Sequence, residues 1–147
     1  MFERIFSQQP MIADQVRMEA YRKAIHEVVK KGDVVADIGT GSGILAFFAL
    51  QAGARKVYAI EQNKIIEEAE ELAKLDGMEE RIVFIKGRSD RIELPEKVDV
   101  ITSEILGHFG YEEHVARFKI DARKRFLKFN EGDPTCTPIK DLPCQLL

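Results

Sequence analysis

The sequence predicts an α/β domain built on a mostly parallel central sheet flanked by helices. From Val34 onward, short β-branched apolar runs alternate with longer segments of helical period, the pattern of parallel strands joined by crossover helices. The runs read as nearly unbroken Val, Ile and Ala rather than as in-out alternation, as strands covered on both faces do. A glycine-rich turn, Gly39-Thr40-Gly41-Ser42-Gly43, follows the first run directly. Open α/β sheets receive their ligands at such carboxyl ends of strands.

The elements follow in order. Ile12 to Val29 reads as a helix, with Ile12, Val16, Ala20, Ala24 and Val28 recurring every four residues. Val34 to Ile38 is the first strand. Ile44 to Ala52 forms the next helix, stopped by Gly53 where a left-handed residue commonly ends a helix. Val57 to Glu61 is the second strand. Lys64 to Lys74 is a helix ending near Gly77, with Ile65, Ile66, Ala69, Leu72 and Ala73 on its apolar face. Glu67, Glu68, Glu70 and Glu71 fall mostly outside that face and read as a solvated surface. Ile82 to Lys86 and Val98 to Ser103 are the third and fourth strands. Glu112 to Lys128 is the last helix, with Val115, Phe118, Ala122 and Phe126 as its apolar stripe. The remainder holds Pro134, Pro138 and Pro143 without a clear period. The expected organisation is an N-terminal helical segment (1–30), an α/β core (31–128) and an irregular tail (129–147).

Composition narrows the function classes. The 147 residues suit one domain. The longest apolar run, Ile44 to Leu50, is seven residues, far below the ~18 of a membrane-spanning helix. No signal peptide is legible beside Glu3 and Arg4, so the expected compartment is the cytoplasm. A net charge of -3 does not suggest a protein that coats nucleic acid. The basic residues of the last helix, Arg117, Lys119, Arg123, Lys124, Arg125 and Lys128, read as an exposed helix face. Cys136 and Cys144 form no metal-ligand pattern, and no metal is expected.

The glycine turn carries the chemistry. A dinucleotide fingerprint from Gly39 would need glycine at position 44, where Ile44 stands, and the Gly-Lys-Ser/Thr ending of a P-loop is missing. Glu61 ends the second strand, where a carboxylate can accept both hydroxyls of an adenosine ribose. Asp37 followed by G-x-G-x-G resembles motif I of the Rossmann-like S-adenosylmethionine-dependent methyltransferases. With Glu61, the motif points to an adenosyl cofactor.

Four flanking segments resemble the protein arginine methyltransferases, in the family's order: Asp14 to Ile25, Gly43-Ile44-Leu45-Ala46, Ser103-Glu104-Ile105-Leu106-Gly107 and Ala122 to Lys128. The resemblance implies the Rossmann-like methyltransferase fold, with the N-terminal segment covering S-adenosylmethionine and S-adenosylhomocysteine as product. It assigns Arg17 to the methionine carboxylate, Asp37, Gly39 and Gly41 to the methionine pocket, Glu61 to the ribose and Asp90 to the adenine amino group. Asp90 is one methylene shorter than the family's glutamate. Glu104 and Glu113, nine positions apart, match the family's pair of glutamates that grips the acceptor guanidinium. Glu112 stands beside Glu113, and a one-residue difference in the loop would exchange them.

The implied substrate is arginine in a protein. Family members continue into a β-barrel domain that supplies part of the acceptor groove, and no counterpart of its Thr-His-Trp loop stands here; the sequence has no tryptophan. The expected partners are therefore an arginine-bearing protein and a second copy or partner subunit that completes the groove, with no membrane and no nucleic acid. Two other readings remain open: methyl transfer to a small molecule or another macromolecule, and a cofactor-binding module that works only with a partner.

Overall fold

A computed structural model describes residues 13–104 and 113–128. Helix α1 (Gln15–Val28) is the first described element, followed by β1 (Val34–Ile38), α2 (Ile44–Ala52), β2 (Lys56–Glu61), α3 (Ile65–Leu75) and β3 (Ile82–Lys86). A short 3-10 turn (Ser89–Arg91), β4 (Val100–Ser103) and α4 (Glu113–Phe126) complete the described elements. The strand order is β3-β2-β1-β4, and every pairing is parallel. The expected α/β class, a mostly parallel sheet flanked by helices, is the observed one.

Alternating side chains divide the core into two layers, because successive strand residues face opposite sides of a sheet. Val35, Val57 and Ala59 pack with Met18, Tyr21 and Ile25 of α1 and with Leu45, Ala46, Ala49 and Leu50 of α2. Val34, Ala36, Ile38, Tyr58 and Ile60 pack on the other side with Ala122 and Phe126 of α4. The central strands β1 and β2 are thus apolar on both faces, whereas β3, at the edge, is buried fully only at Ile82.

Three expectations need correction. The buried stripe of α1 is Met18, Tyr21 and Ile25, while Val16 and Val28 are exposed. A spacing of three then four follows the 3.6-residue turn, and a strict spacing of four drifts off the face. Glu68 of α3 is buried rather than solvated. The fourth strand begins at Val100, because Val98 bridges in parallel to Leu127 beyond α4 instead of continuing the pairing with β1. Ile12 and the tail from Phe129 lie outside the described residues.

Gly53 ends α2 at φ 112°, and its carbonyl accepts the Gly32 amide at 2.9 Å. A Cβ there would stand 3.1 Å from Lys31 Cα. Gly53→Ala is therefore expected to cost about 1–3 kcal/mol of stability through left-handed strain and close backbone contact. Urea denaturation measures this, and an unchanged midpoint would contradict it.

Candidate active site

A cleft opens at the carboxyl ends of β1 and β4, lined by the glycine loop from Gly39 to Ser42, by Ile44 and Leu45 at the start of α2, and by Glu104. Gly39, Gly41 and Gly43 all have positive φ, at 71°, 53° and 84°, which lets the chain turn tightly between β1 and α2 without a Cβ penalty. The amides of Gly39 and Thr40 both donate to the Ile60 carbonyl, at 2.8 and 3.0 Å, so β2 anchors the loop.

Asp37 is fully buried beneath this loop. Thr40 Oγ1 donates to one carboxylate oxygen at 2.6 Å and Thr102 Oγ1 to the other at 2.7 Å. Burial pushes the Asp37 carboxyl up to about 6; the two hydroxyls oppose the rise, and the negative charges of Glu104 and Glu61 add to it. The folded value exceeds the unfolded one, so this group stabilises the fold below about pH 4, and that contribution is lost as pH rises through about 6. A rise of this size corresponds to roughly 3 kcal/mol. Urea denaturation at pH 4 and pH 7 is thus expected to show Asp37→Asn gaining roughly that much relative to wild type. Parallel pH curves would contradict the assignment.

Glu61 closes β2 and is buried, at 8% exposure. The Gly41 amide donates to Oε2 at 3.2 Å, and Asn63 donates to Oε1 from both its backbone amide, at 2.9 Å, and its side-chain Nδ2, at 3.0 Å. The carboxylate is therefore fixed at the rim of the glycine loop. The Glu61 carbonyl accepts the Gly87 amide at 2.9 Å, which joins this strand end to the segment carrying Asp90.

Arg17 reaches the same cleft from α1, whose first turn Asp14 caps by accepting the Arg17 amide at 3.1 Å. Its guanidinium forms an ion pair with Glu104, just past β4. Arg17 and Glu104 thus lie together, although sequence reading gave them different ligands. The Glu104 side chain is only 8% exposed. Burial raises its carboxyl above the ordinary value, and the Arg17 guanidinium pulls it back part of the way.

Asp90 sits on the turn after β3 and is exposed. Arg88 holds it with two bonds, Nε to Oδ1 at 3.1 Å and Nη2 to Oδ2 at 2.8 Å, and this guanidinium keeps the carboxyl below its usual range. Glu113 is the first residue of α4; its side chain, and residues 105–112 with Glu112, lie outside the described residues.

Comparison with known proteins places this arrangement. Residues 20–111 match the family model of the ribosomal protein L11 methyltransferases (PrmA), more than half of the chain. The chain is 45% identical over 126 residues to a protein arginine N-methyltransferase, PRMT10, of Oryza sativa, a match covering 84% of this chain and 33% of that one. It belongs to the family of the ribosomal protein L11 methyltransferases (PrmA), and over most of its length it is similar to protein arginine N-methyltransferases. The crystal structure of Arabidopsis thaliana protein arginine methyltransferase 10, described as a uniquely open conformation, superposes with a TM-score of 0.76 at 45% identity, covering 84% of this chain and 36% of that one. The Trypanosoma brucei PRMT1 enzyme-prozyme heterotetrameric complex with AdoHcy superposes with a TM-score of 0.74 at 37% identity, covering 80% and 38%. The chain spans between about a quarter and a third of the length of the curated relatives it matches.

In this methyltransferase core, several residues that hold the site carry no motif of their own. Thr40 and Thr102 satisfy Asp37, and Asn63 holds Glu61. Asn63 stands two residues beyond the strand-ending glutamate, a position from which an amide can fold back on that carboxylate; this was the one available signal. Thr102 lies on β4 opposite Asp37 in the parallel register, so only the strand pairing reveals it.

Proposed function

We propose that this chain is the cofactor-binding core of an S-adenosylmethionine-dependent methyltransferase that acts on arginine side chains of proteins. The observation that carries the proposal is the convergence of the glycine loop, Glu61, Arg17 and Glu104 at one end of a parallel sheet. The donor set suits the cofactor: a rigid carboxylate for ribose hydroxyls, a guanidinium for a carboxylate and a left-handed glycine loop that admits close approach of the ligand.

Each residue has a role in this reading. Glu61 accepts the ribose hydroxyls and Asp90 the adenine amino group. Gly39 and Gly41 line the methionine pocket, and Asp37 holds the loop from below through Thr40. Arg17 receives the methionine carboxylate in a charge-assisted, bidentate bond, and α1 covers the site. When bound, the cofactor supplies an electrophilic methyl group on a sulfonium. An arginine guanidinium is cationic and a poor nucleophile. Glu104 and Glu113 grip it, draw its charge toward the nitrogens they bind and orient the free nitrogen for in-line attack, while the buried setting of Glu104 excludes water.

The Arg17–Glu104 pair bears on order of binding. The cofactor carboxylate competes with Glu104 for Arg17, and its arrival releases Glu104 for the acceptor. Titration calorimetry with S-adenosylhomocysteine and a labelled methyl-transfer assay on arginine-rich peptides test the proposal together; absence of binding overturns it. A second reading, a core that transfers methyl groups only with a second copy or partner subunit, is supported by the enzyme-prozyme neighbour. It predicts binding without transfer by the isolated chain.

A further inference from the structure

Helix α4 grips the turn that carries Asp90. The fork of Arg125 is anchored on its own helix by Asp121, with Nε donating to Oδ1 and Oδ2 at 3.0 and 2.9 Å and Nη2 to Oδ2 at 2.8 Å. The remaining donors leave the helix: Nη1 bonds the Ile92 carbonyl at 2.5 Å, and Nη2 bonds the Ser89 carbonyl. These two carbonyls bracket the turn, with Asp90 between them. Phe126, 1% exposed, supports the guanidinium from 4.8 Å. A second strap runs from the same helix, because Arg88, which holds the Asp90 carboxylate, stacks over the Phe118 ring at 5.4 Å.

We propose that Arg125 is a positioning residue for recognition of the adenine 6-amino group: it clamps both ends of the Ser89–Arg91 turn and so presents the Asp90 carboxylate at a fixed place. The proposal rests on the cofactor reading above. An exposed carboxylate on a loose turn would accept from the amino group only after losing conformational freedom, which erodes the net value of the bond. Held in place, it accepts readily, whereas an oxo group at the same position sets two acceptors against each other with no hydrogen between them; water reaches the exposed Asp90 and keeps that discrimination moderate. The planar fork suits the task because it spans Asp121 and two carbonyls at once. A lysine ammonium, a point donor, cannot do this.

The test compares S-adenosylhomocysteine with S-inosylhomocysteine, which differs in carrying 6-oxo for 6-amino, by titration calorimetry on the 147-residue chain. Wild type is expected to prefer the adenosyl ligand by about tenfold or more. Arg125→Ala and Arg125→Lys are expected to bring that ratio toward one, as Asp90→Ala does, whereas Glu61→Ala weakens both ligands and leaves the ratio unchanged. A merely structural role for Arg125 lowers the melting temperature without moving the ratio. If Arg125→Ala does not fold, Arg125→Lys carries the test. Retention of the wild-type ratio in the Arg125 variants, with its loss in Asp90→Ala, overturns the inference and leaves the cofactor reading intact. Retention in Asp90→Ala as well, or no binding by wild type, overturns the cofactor assignment of Asp90 and the inference with it.

Discussion

Glu61→Ala is expected to weaken S-adenosylhomocysteine binding by about 10²–10³-fold. The carboxylate would accept two ribose hydroxyls, and hydrogen bonds to a charged group are worth about 1.5–3 kcal/mol each. Water entering the vacated space recovers part of this, leaving a net loss of about 3–4 kcal/mol, or two to three powers of ten. The substitution also removes the acceptor of the Gly41 and Asn63 amides, which loosens the glycine loop and adds to the loss. Glu61→Gln keeps the shape but forfeits the charge, so a smaller loss is expected, about tenfold. Calorimetry on both variants settles the matter: affinities within twofold of wild type would remove Glu61 from the site.

The second large effect falls on the rate. Glu104→Gln is expected to lower kcat for methyl transfer by about 10²–10³-fold, the scale of removing one well-placed electrostatic group from a buried site. Its effect on the cofactor runs the other way. Glu104 occupies Arg17 when no ligand is bound, and a neutral side chain releases that guanidinium, so cofactor affinity is expected to hold or rise. This opposition distinguishes a residue that handles the acceptor from one that only shapes the pocket. Burial holds the Glu104 carboxyl above its ordinary value, and the proposed grip on a guanidinium requires its charged form. The wild-type rate is therefore expected to climb as pH rises through that elevated value. Single-turnover measurements across pH with a peptide substrate check both statements. An unchanged rate in Glu104→Gln would refute the role.

How far the sequence could be read follows from how local each feature is. β1 and β2 stood out because burial on both faces demands unbroken apolar runs. The glycine loop and Glu61 were visible because adjacent residues build them. The covered face of α1 is ambiguous in the sequence, because Val16 and Val28 match a four-residue repeat as well as Met18, Tyr21 and Ile25 match a helical one; only the sheet shows which stripe is covered. Glu68 falls inside an acidic run that looks solvated in isolation. The ion pair of Arg17 with Glu104 joins residues 87 positions apart, and no spacing rule connects them. Arg125 is less visible still, since its targets beyond Asp121 are main-chain carbonyls, which every residue type carries.

In the proposed function, one cleft at the carboxyl ends of the strands holds the cofactor and brings Glu104 to the reacting atoms. A crystal structure of the chain with S-adenosylhomocysteine tests it most directly. That structure is expected to show ribose hydroxyls on Glu61, the amino-acid carboxylate on Arg17 and the Glu104 carboxylate turned toward the sulfur. A ligand bound away from Glu61, or a Glu104 carboxylate still paired with Arg17 and remote from the sulfur, would contradict it.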